Sequence, residues 1–373
     1  MTPNPIGLYV HIPFCVRKCN YCDFCSFSQA SVSWKEEYID ALVSEIRSYK
    51  SKGLTLDSIF FGGGTPSLLE PNEFVRILDS IKDSFYFSGD LEFTLEVNPG
   101  TITEEKAKLY AQSGVNRISI GMQSIHENEL KILGRIHNYE EFLSCYKLIK
   151  DAGISNINVD VMYGIPCQTK ESFLETLEAV TSLSPSHISL YGLILEEGTL
   201  FYEQRSTLAL PEEDTECDMY FLAAEYMKDK GYSHYEISNY ALPGFECRHN
   251  LKYWRCKEYI GVGLAAYSYF EGRRFGNSRD TDEYLKQNGR EYEYEEIVDA
   301  DTLAYEYVML GLRLKEGISL SDYEGRFGKS FLSGREKTLD ALISGGYAEI
   351  KGDRLSLTER GFYVSNRILT DLI

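Results

Sequence analysis

His11-Ile12-Pro13-Phe14-Cys15-Val16-Arg17-Lys18-Cys19-Asn20-Tyr21-Cys22-Asp23-Phe24-Cys25 carries three cysteines in the spacing Cys-x3-Cys-x2-Cys. They follow directly on an apolar run, Ile6 to Phe14, that reads as a β-strand. Three thiolates crowded onto one short loop can hold three irons of a [4Fe–4S] cluster and leave the fourth iron open to a small molecule. A structural zinc site is the competing reading, and it needs four ligands. Cys25 can complete such a set, so zinc stays open, while the spacing beside a buried strand favours the cluster.

The other cysteines support a metal rather than a disulfide framework. Nine cysteines are an odd number, four of them packed between Cys15 and Cys25. In a reducing compartment such a cluster reads as a metal site. The scattered ones, Cys145, Cys167, Cys217, Cys247 and Cys256, are expected to be small buried hydrophobes.

The 373 residues suffice for one large domain and a smaller one. A net charge of −19 repels phosphate backbones and argues against nucleic acid as a partner. Much of the acid lies in Glu212-Glu213-Asp214 and from Glu291 to Asp301, both read as solvated faces. No apolar run approaches the roughly 18 residues of a membrane span, so no integral membrane segment is expected. Residues 1–5 show no basic region followed by an apolar stretch, which leaves the cytoplasm as the expected location.

The first half alternates strands and helices. Strands are expected at Leu8–Ile12, Ser58–Phe61, Glu92–Val97, Arg117–Ile120, Asn156–Met162 and His187–Leu193. Between them, Trp34, Tyr38, Leu42, Ile46 and Tyr49 repeat at helical spacing, and Glu104–Ser113 and Lys170–Leu183 read alike. Such βα units build a parallel sheet, either doubly wound or as a barrel. The polar residues of interest fall at the C-terminal ends of successive strands, which suits a barrel mouth.

After about Glu196 the pattern loosens. A further compact unit begins near Ala300, with an apolar stripe Leu303, Tyr307, Leu310 and Leu314. A helix ends at Gly345-Gly346, a hairpin spans Ala348 to Leu357, and Thr358 to Ile373 reads as a terminal helix. Helices plus a hairpin suggest a winged-helix-like unit, expected here to pack or cover substrate rather than to bind DNA.

Several further stretches carry polar chemistry. Gly62-Gly63-Gly64-Thr65-Pro66 follows the second strand and lacks the Lys-Ser/Thr of a phosphate loop. Glu96 ends the third strand, Gln123 follows the fourth, Arg135 lies in Leu133-Gly134-Arg135-Ile136-His137, and Asp160 sits inside the apolar strand Ile157–Met162. An Asp within a strand demands a partner. An Arg can grip a carboxylate bidentately, and the acids and the amide can bond ammonium or hydroxyl groups.

These motifs resemble those of the radical S-adenosylmethionine (SAM) enzymes. The likeness spans nearly the whole chain and falls in the branch that holds oxygen-independent coproporphyrinogen III oxidase (HemN) and the HemW haem chaperones. The resemblance implies a partial (βα)6 barrel of α/β class, with a C-terminal extension and a small HemN-type C-terminal unit. It divides the chain into a radical SAM core at 1–196, an extension at 197–299 and a C-terminal unit at 300–373. It also implies that Cys15, Cys19 and Cys22 hold a [4Fe–4S] cluster, and that Tyr9, Gly63, Gly64, Thr65, Glu96, Gln123, Arg135 and Asp160 contact SAM. One electron from such a cluster breaks SAM into methionine and a 5′-deoxyadenosyl radical, and an oxidase uses that radical to decarboxylate propionate side chains.

Two features turn the expectation towards the chaperone branch. The oxidases resemble Cys-x3-Cys-x2-Cys-x-Cys, where this chain has Phe24 and a cysteine one place later. They also carry a long segment before the cluster, where 14 residues precede Cys15 here. Cys247-Arg248-His249-Asn250-Leu251-Lys252-Tyr253-Trp254 contains the His-Asn-x2-Tyr-Trp motif associated with the chaperones. A neutral imidazole suits haem iron, and Tyr and Trp offer flat faces to a macrocycle. The resemblance therefore implies His249 as a haem ligand, haem as cargo and an acceptor protein that the sequence does not identify. Coproporphyrinogen III oxidation is the alternative, and a zinc-stabilised binding protein a second.

Overall fold

A computed structural model describes residues 4–28, 30–287 and 292–373. Residues 1–3 of the N-terminal stretch and Glu291 of the acidic run lie outside the described residues. The chain forms two compact units, residues 1–211 with 258–297, and residues 212–257 with 298–373. The segment 197–299 is thus shared between the units rather than forming one of its own.

In the first unit six parallel strands follow one another in chain order: β1 (Ile6–Ile12), β2 (Thr55–Gly63), β3 (Tyr86–Val97), β4 (Arg117–Gln123), β5 (Asn156–Tyr163) and β6 (His187–Gly192). Each matches an expected strand and mostly extends it. Their crossovers run through helices α1 (Val32–Ser48), α2 (Pro71–Ser84), α3 (Glu104–Gln112), α4 (Tyr139–Asp151) and α5 (Lys170–Ser182). The helix starts are chemically marked. Ser31 and Thr103 accept N–H bonds from Trp34 and Lys106, and Asn138 forms a reciprocal cap with Glu141.

β4 is buried at all seven positions, as a strand covered on both faces must be. The free edge of β1 pairs with Tyr259–Val262, again parallel, and antiparallel strands at 267–270, 273–276 and 294–297 continue from there. The six strands therefore form a partial (βα)6 barrel with an extension on the β1 side. Fully buried Glu45 of α1 secures this extension, accepting bonds from Gly263 N–H at 2.9 Å, Asn277 at 2.7 Å and the Tyr284 hydroxyl at 2.7 Å.

The second unit contains α6 (Glu213–Asp229), α7 (Arg248–Trp254), α8 (Ala300–Gly311), α9 (Leu320–Phe327) and α10 (Glu336–Ser344). The run Glu212-Glu213-Asp214 opens α6, where negative charge complements the helix dipole. From α8 the order is helix, short strand 318–319, helix, helix, hairpin 348–357, and the three strands pair as one small sheet. This is a winged-helix arrangement around a core that includes Val308, Leu312, Ile318, Leu355 and Leu369.

Three expectations need correcting. The most buried face of α8 is Ala304, Val308 and Gly311 rather than Leu303, Tyr307 and Leu310. Its small residues permit close approach, since a Cβ on Gly311 would lie 2.5 Å from Ile318 Cγ2. The terminal segment is two helices, 359–363 and 365–372, that meet at Val364. Of the scattered cysteines only Cys145 and Cys247 are buried, and Cys167 is exposed with φ 66°. No helix among the described residues is long and apolar enough to cross a membrane.

Candidate functional site

The parallel register brings the strand ends of the first unit to one rim. Glu96 pairs with Ser119, and Gly121 with Asp160, in neighbouring strands. The loop after β1 and the glycine-rich exit of β2 both meet this rim. Gly63 has φ 110°, and a Cβ there would stand 2.4 Å from the His11 ring, so only glycine fits. Gly64 N–H bonds Ile12 O at 2.8 Å and ties the turn to β1.

Between loop and rim lies a cavity of about 130 Å³. Its wall includes the three expected cysteines, Cys15, Cys19 and Cys22. Gly63, Gly64, Thr65, Glu96, Gln123, Arg135 and Asp160 also line it, so seven of the nine residues expected at a bound cofactor come together. Tyr9 does not line it. Its hydroxyl bonds His11 Nδ1 at 2.9 Å, and the other nitrogen of that ring bonds Cys25 O at 2.7 Å. Cys25 is likewise outside the wall, with its sulfur 4.0 Å from Arg279 O. His249 belongs to the second unit.

Arg135 is the pivot of the electrostatics. Its Nη2 donates to Asn98 Oδ1 at 2.7 Å and to Gly121 O, and its Nη1 points at Cys19 Sγ at 3.6 Å. Asn98 donates in turn to Thr65 Oγ1 at 2.8 Å, and Thr65 lies 3.6 Å from Cys15 Sγ. Burial opposes the charge on Arg135, but Tyr21, Cys19 and Asp160 around it more than compensate and raise its pKa. Burial pushes the thiols of Cys15 and Cys22 up, Cys22 to about 11. Such thiols ionise when a metal supplies the compensating charge.

The acids behave in the opposite sense to surface carboxylates. Burial first, and the charge of Asp160 second, raise Glu96 to about 8 although Gly63 N–H donates to it at 3.1 Å. Burial also raises Asp160 against the bonds it receives from Asn158 at 2.8 Å and Ser119 at 3.2 Å. Gln123 sits at φ 70°, a left-handed backbone uncommon for a side chain of its kind, where the register of β4 shifts.

The donor set fits the groups expected of it. Among the described residues no three His, Cys, Asp or Glu side chains converge as one metal ion requires. The three cysteines instead surround a cavity, and a cluster of four irons spreads its thiolates over separate irons. On the same wall stand a half-buried guanidinium suited to a carboxylate, two half-buried acids suited to a cation, and an amide suited to hydroxyls.

Asn98, Ser119 and Asn158 were missed in the sequence. Asn98 stands before Pro99-Gly100 and reads as a turn residue. Asn158 offered a signal, being two residues from Asp160 and so on the same face of β5.

In the second unit His249 is 1% exposed, and its Nε2 is bonded to the Tyr253 hydroxyl at 2.8 Å. One bond to the buried imidazole thus comes from its own helix.

Residues 9–180 match the Radical SAM superfamily and residues 298–364 match the HemN C-terminal domain. Heme chaperone HemW of Lactococcus lactis subsp. lactis (strain IL1403) is 36% identical, over 99% of this chain and 97% of that protein. Heme chaperone HemW of Escherichia coli (strain K12) is 35% identical over 98% and 97%. The solved structure of coproporphyrinogen III oxidase (HemN) from Escherichia coli superimposes with a TM-score of 0.87 at 22% identity, over 99% of this chain and 90% of that one.

Proposed function

Because the chain belongs to the HemW heme-chaperone family of radical SAM proteins, we propose that it holds a [4Fe–4S] cluster and SAM in its first unit and carries haem to an acceptor protein. Cys15, Cys19 and Cys22 would hold the cluster. Arg135 would take the SAM carboxylate, Glu96 and Asp160 its cationic or hydroxyl groups, Gln123 a hydroxyl, and Gly63, Gly64 and Thr65 would bring backbone groups close. Such a pair, when bound, would supply one-electron reductive cleavage of the SAM sulfonium.

The observation that carries the reading is the single cavity walled by three cysteines and by polar residues from successive strand ends. Arg135 Nη1 lies 3.6 Å from Cys19 Sγ and so ties the polar strand ends to the cysteine loop. The three neighbours of Asp160 and Glu96 hold these acids in fixed directions, so that they need no rearrangement to meet a cation.

For haem, the support is the His249-Asn250-x2-Tyr253-Trp254 motif together with relatives named heme chaperone along the full chain. His249 can serve as the iron ligand once its Nε2 exchanges the Tyr253 hydroxyl. Oxidase activity is the second reading, favoured by the shared fold with HemN. Phe24 at the place of the oxidases' further cysteine weighs against it.

The test is iron, sulfide and haem analysis of anaerobically reconstituted protein. Wild type is expected to hold a cluster and about one haem per chain, and Cys15→Ala to lose the cluster while still binding haem. Zinc in place of iron and sulfide, or no haem on the wild type, refutes the reading.

A further inference from the structure

The second unit contains a cavity of about 410 Å³, within the size range of small-molecule sites. It opens between the end of α7 and the winged-helix elements, so the His-Asn-x2-Tyr-Trp helix supplies one wall through Trp254. The indole N–H of Trp254 is buried and has no hydrogen-bond partner among the described residues. Tyr307 lines the cavity as well and gives it a second aromatic surface.

The charge of this wall runs against that of the protein. Arg255, Lys257, Arg326 and Arg354 line it against two carboxylates, Glu316 and Asp322, a surplus of two positive charges in a chain of net −19. The carboxylates orient the guanidiniums rather than cancel them. Glu316 lies 3.1 Å from Arg255 and 3.8 Å from Arg354, and Asp322 accepts from Arg326 Nε at 3.0 Å. Each of these three arginines keeps nearly half of its side chain exposed, so donors remain for a ligand. Arginine forks match carboxylates bidentately.

We infer that this cavity receives the propionate edge of haem, its arginines pairing with the two propionates and Trp254 facing the macrocycle. The inference rests on the haem reading above and gives it a place: a flat, apolar body bearing two carboxylates matches an aromatic wall with two surplus positive charges. Haem is thereby anchored through its periphery, whatever holds the iron.

Titration of the full-length protein with haem, with metal-free protoporphyrin IX and with haem dimethyl ester tests this. Wild type is expected to bind haem at least tenfold more tightly than the ester, and protoporphyrin IX is expected to compete with haem. Arg255→Gln/Arg354→Gln, changed at half-exposed positions, is expected to lose tenfold or more in haem affinity and little in ester affinity. Circular dichroism and the melting temperature report whether the variant is folded. If unfolding obscures it, Lys257→Glu, at an exposed position, is expected to weaken haem severalfold and leave the ester unchanged. Equal affinity of wild type for haem and ester, or haem affinity unaltered in the folded variants, overturns the inference while leaving haem binding in place. Absence of haem binding to wild type overturns both.

Discussion

Arg135 Nη1 stands 3.6 Å from Cys19 Sγ across 116 residues of chain, joining the turn that follows the helix Glu127–Leu133 to the cysteine loop after β1. One guanidinium thereby touches both a cysteine of the cavity wall and the strand-end groups of Asn98 and Gly121. The arrangement makes Arg135 hard to replace, because a point-charged ammonium cannot reach Cys19, Asn98 and Gly121 together.

Arg135→Ala is expected to weaken SAM binding by about 1.5–3 kcal/mol, the worth of a hydrogen bond to a charged group. Arg135→Lys is expected to recover only part of this. Calorimetry on cluster-loaded protein measures both, and unchanged affinity in the alanine variant removes Arg135 from the site.

Glu96, raised to about 8, is mostly protonated at neutral pH. SAM carries an ammonium and a sulfonium against one carboxylate, so it favours the ionised acid. Binding then releases a proton below about pH 8, and affinity is expected to rise with pH up to that point and level off above it, by at most about tenfold per unit. Glu96→Gln is expected to flatten this rise. A wild-type affinity independent of pH between about 6 and 8 contradicts the assignment.

Glu45 answers a different question, that of stability. Removing its carboxylate leaves Gly263 N–H, Asn277 and Tyr284 without their shared acceptor. Glu45→Ala is expected to cost roughly 3 kcal/mol or more, since each buried donor left unpaired costs about 1–3 kcal/mol. Chemical denaturation measures it, and a loss below about 1 kcal/mol shows that water replaces the carboxylate.

Tyr253→Phe removes the 2.8 Å bond between the tyrosine hydroxyl and His249 Nε2. If the imidazole is the haem ligand, this variant is expected to bind haem at least as tightly as wild type, and His249→Ala to weaken it or change the Soret spectrum. Identical spectra in wild type and His249→Ala remove His249 as ligand and leave anchoring through the macrocycle's periphery intact.

The barrel was legible because each of its strands is a short apolar run with a polar residue at its end, as at Glu96 and Gln123. Parallel pairing then carries those ends to one rim without further information. Contacts that depend on distance across the chain were not legible. Nothing local marks Asn98 as the link between Thr65 and Arg135, or turns the Tyr9 hydroxyl to His11. The depth of α8 was misjudged for a related reason. Large residues suggested the buried face, whereas close packing against Ile318 selects small ones.

Haem chaperone and porphyrinogen oxidase differ most plainly in what one preparation does with two tetrapyrroles. Wild-type protein, reconstituted anaerobically and supplied with SAM and a strong reductant, should be given haem in one half and coproporphyrinogen III in the other. Retention of about one haem per chain, with no useful conversion of coproporphyrinogen III to protoporphyrinogen IX, is the expected result. Steady formation of protoporphyrinogen IX by protein with an intact cluster would contradict the chaperone reading and put the oxidase in its place.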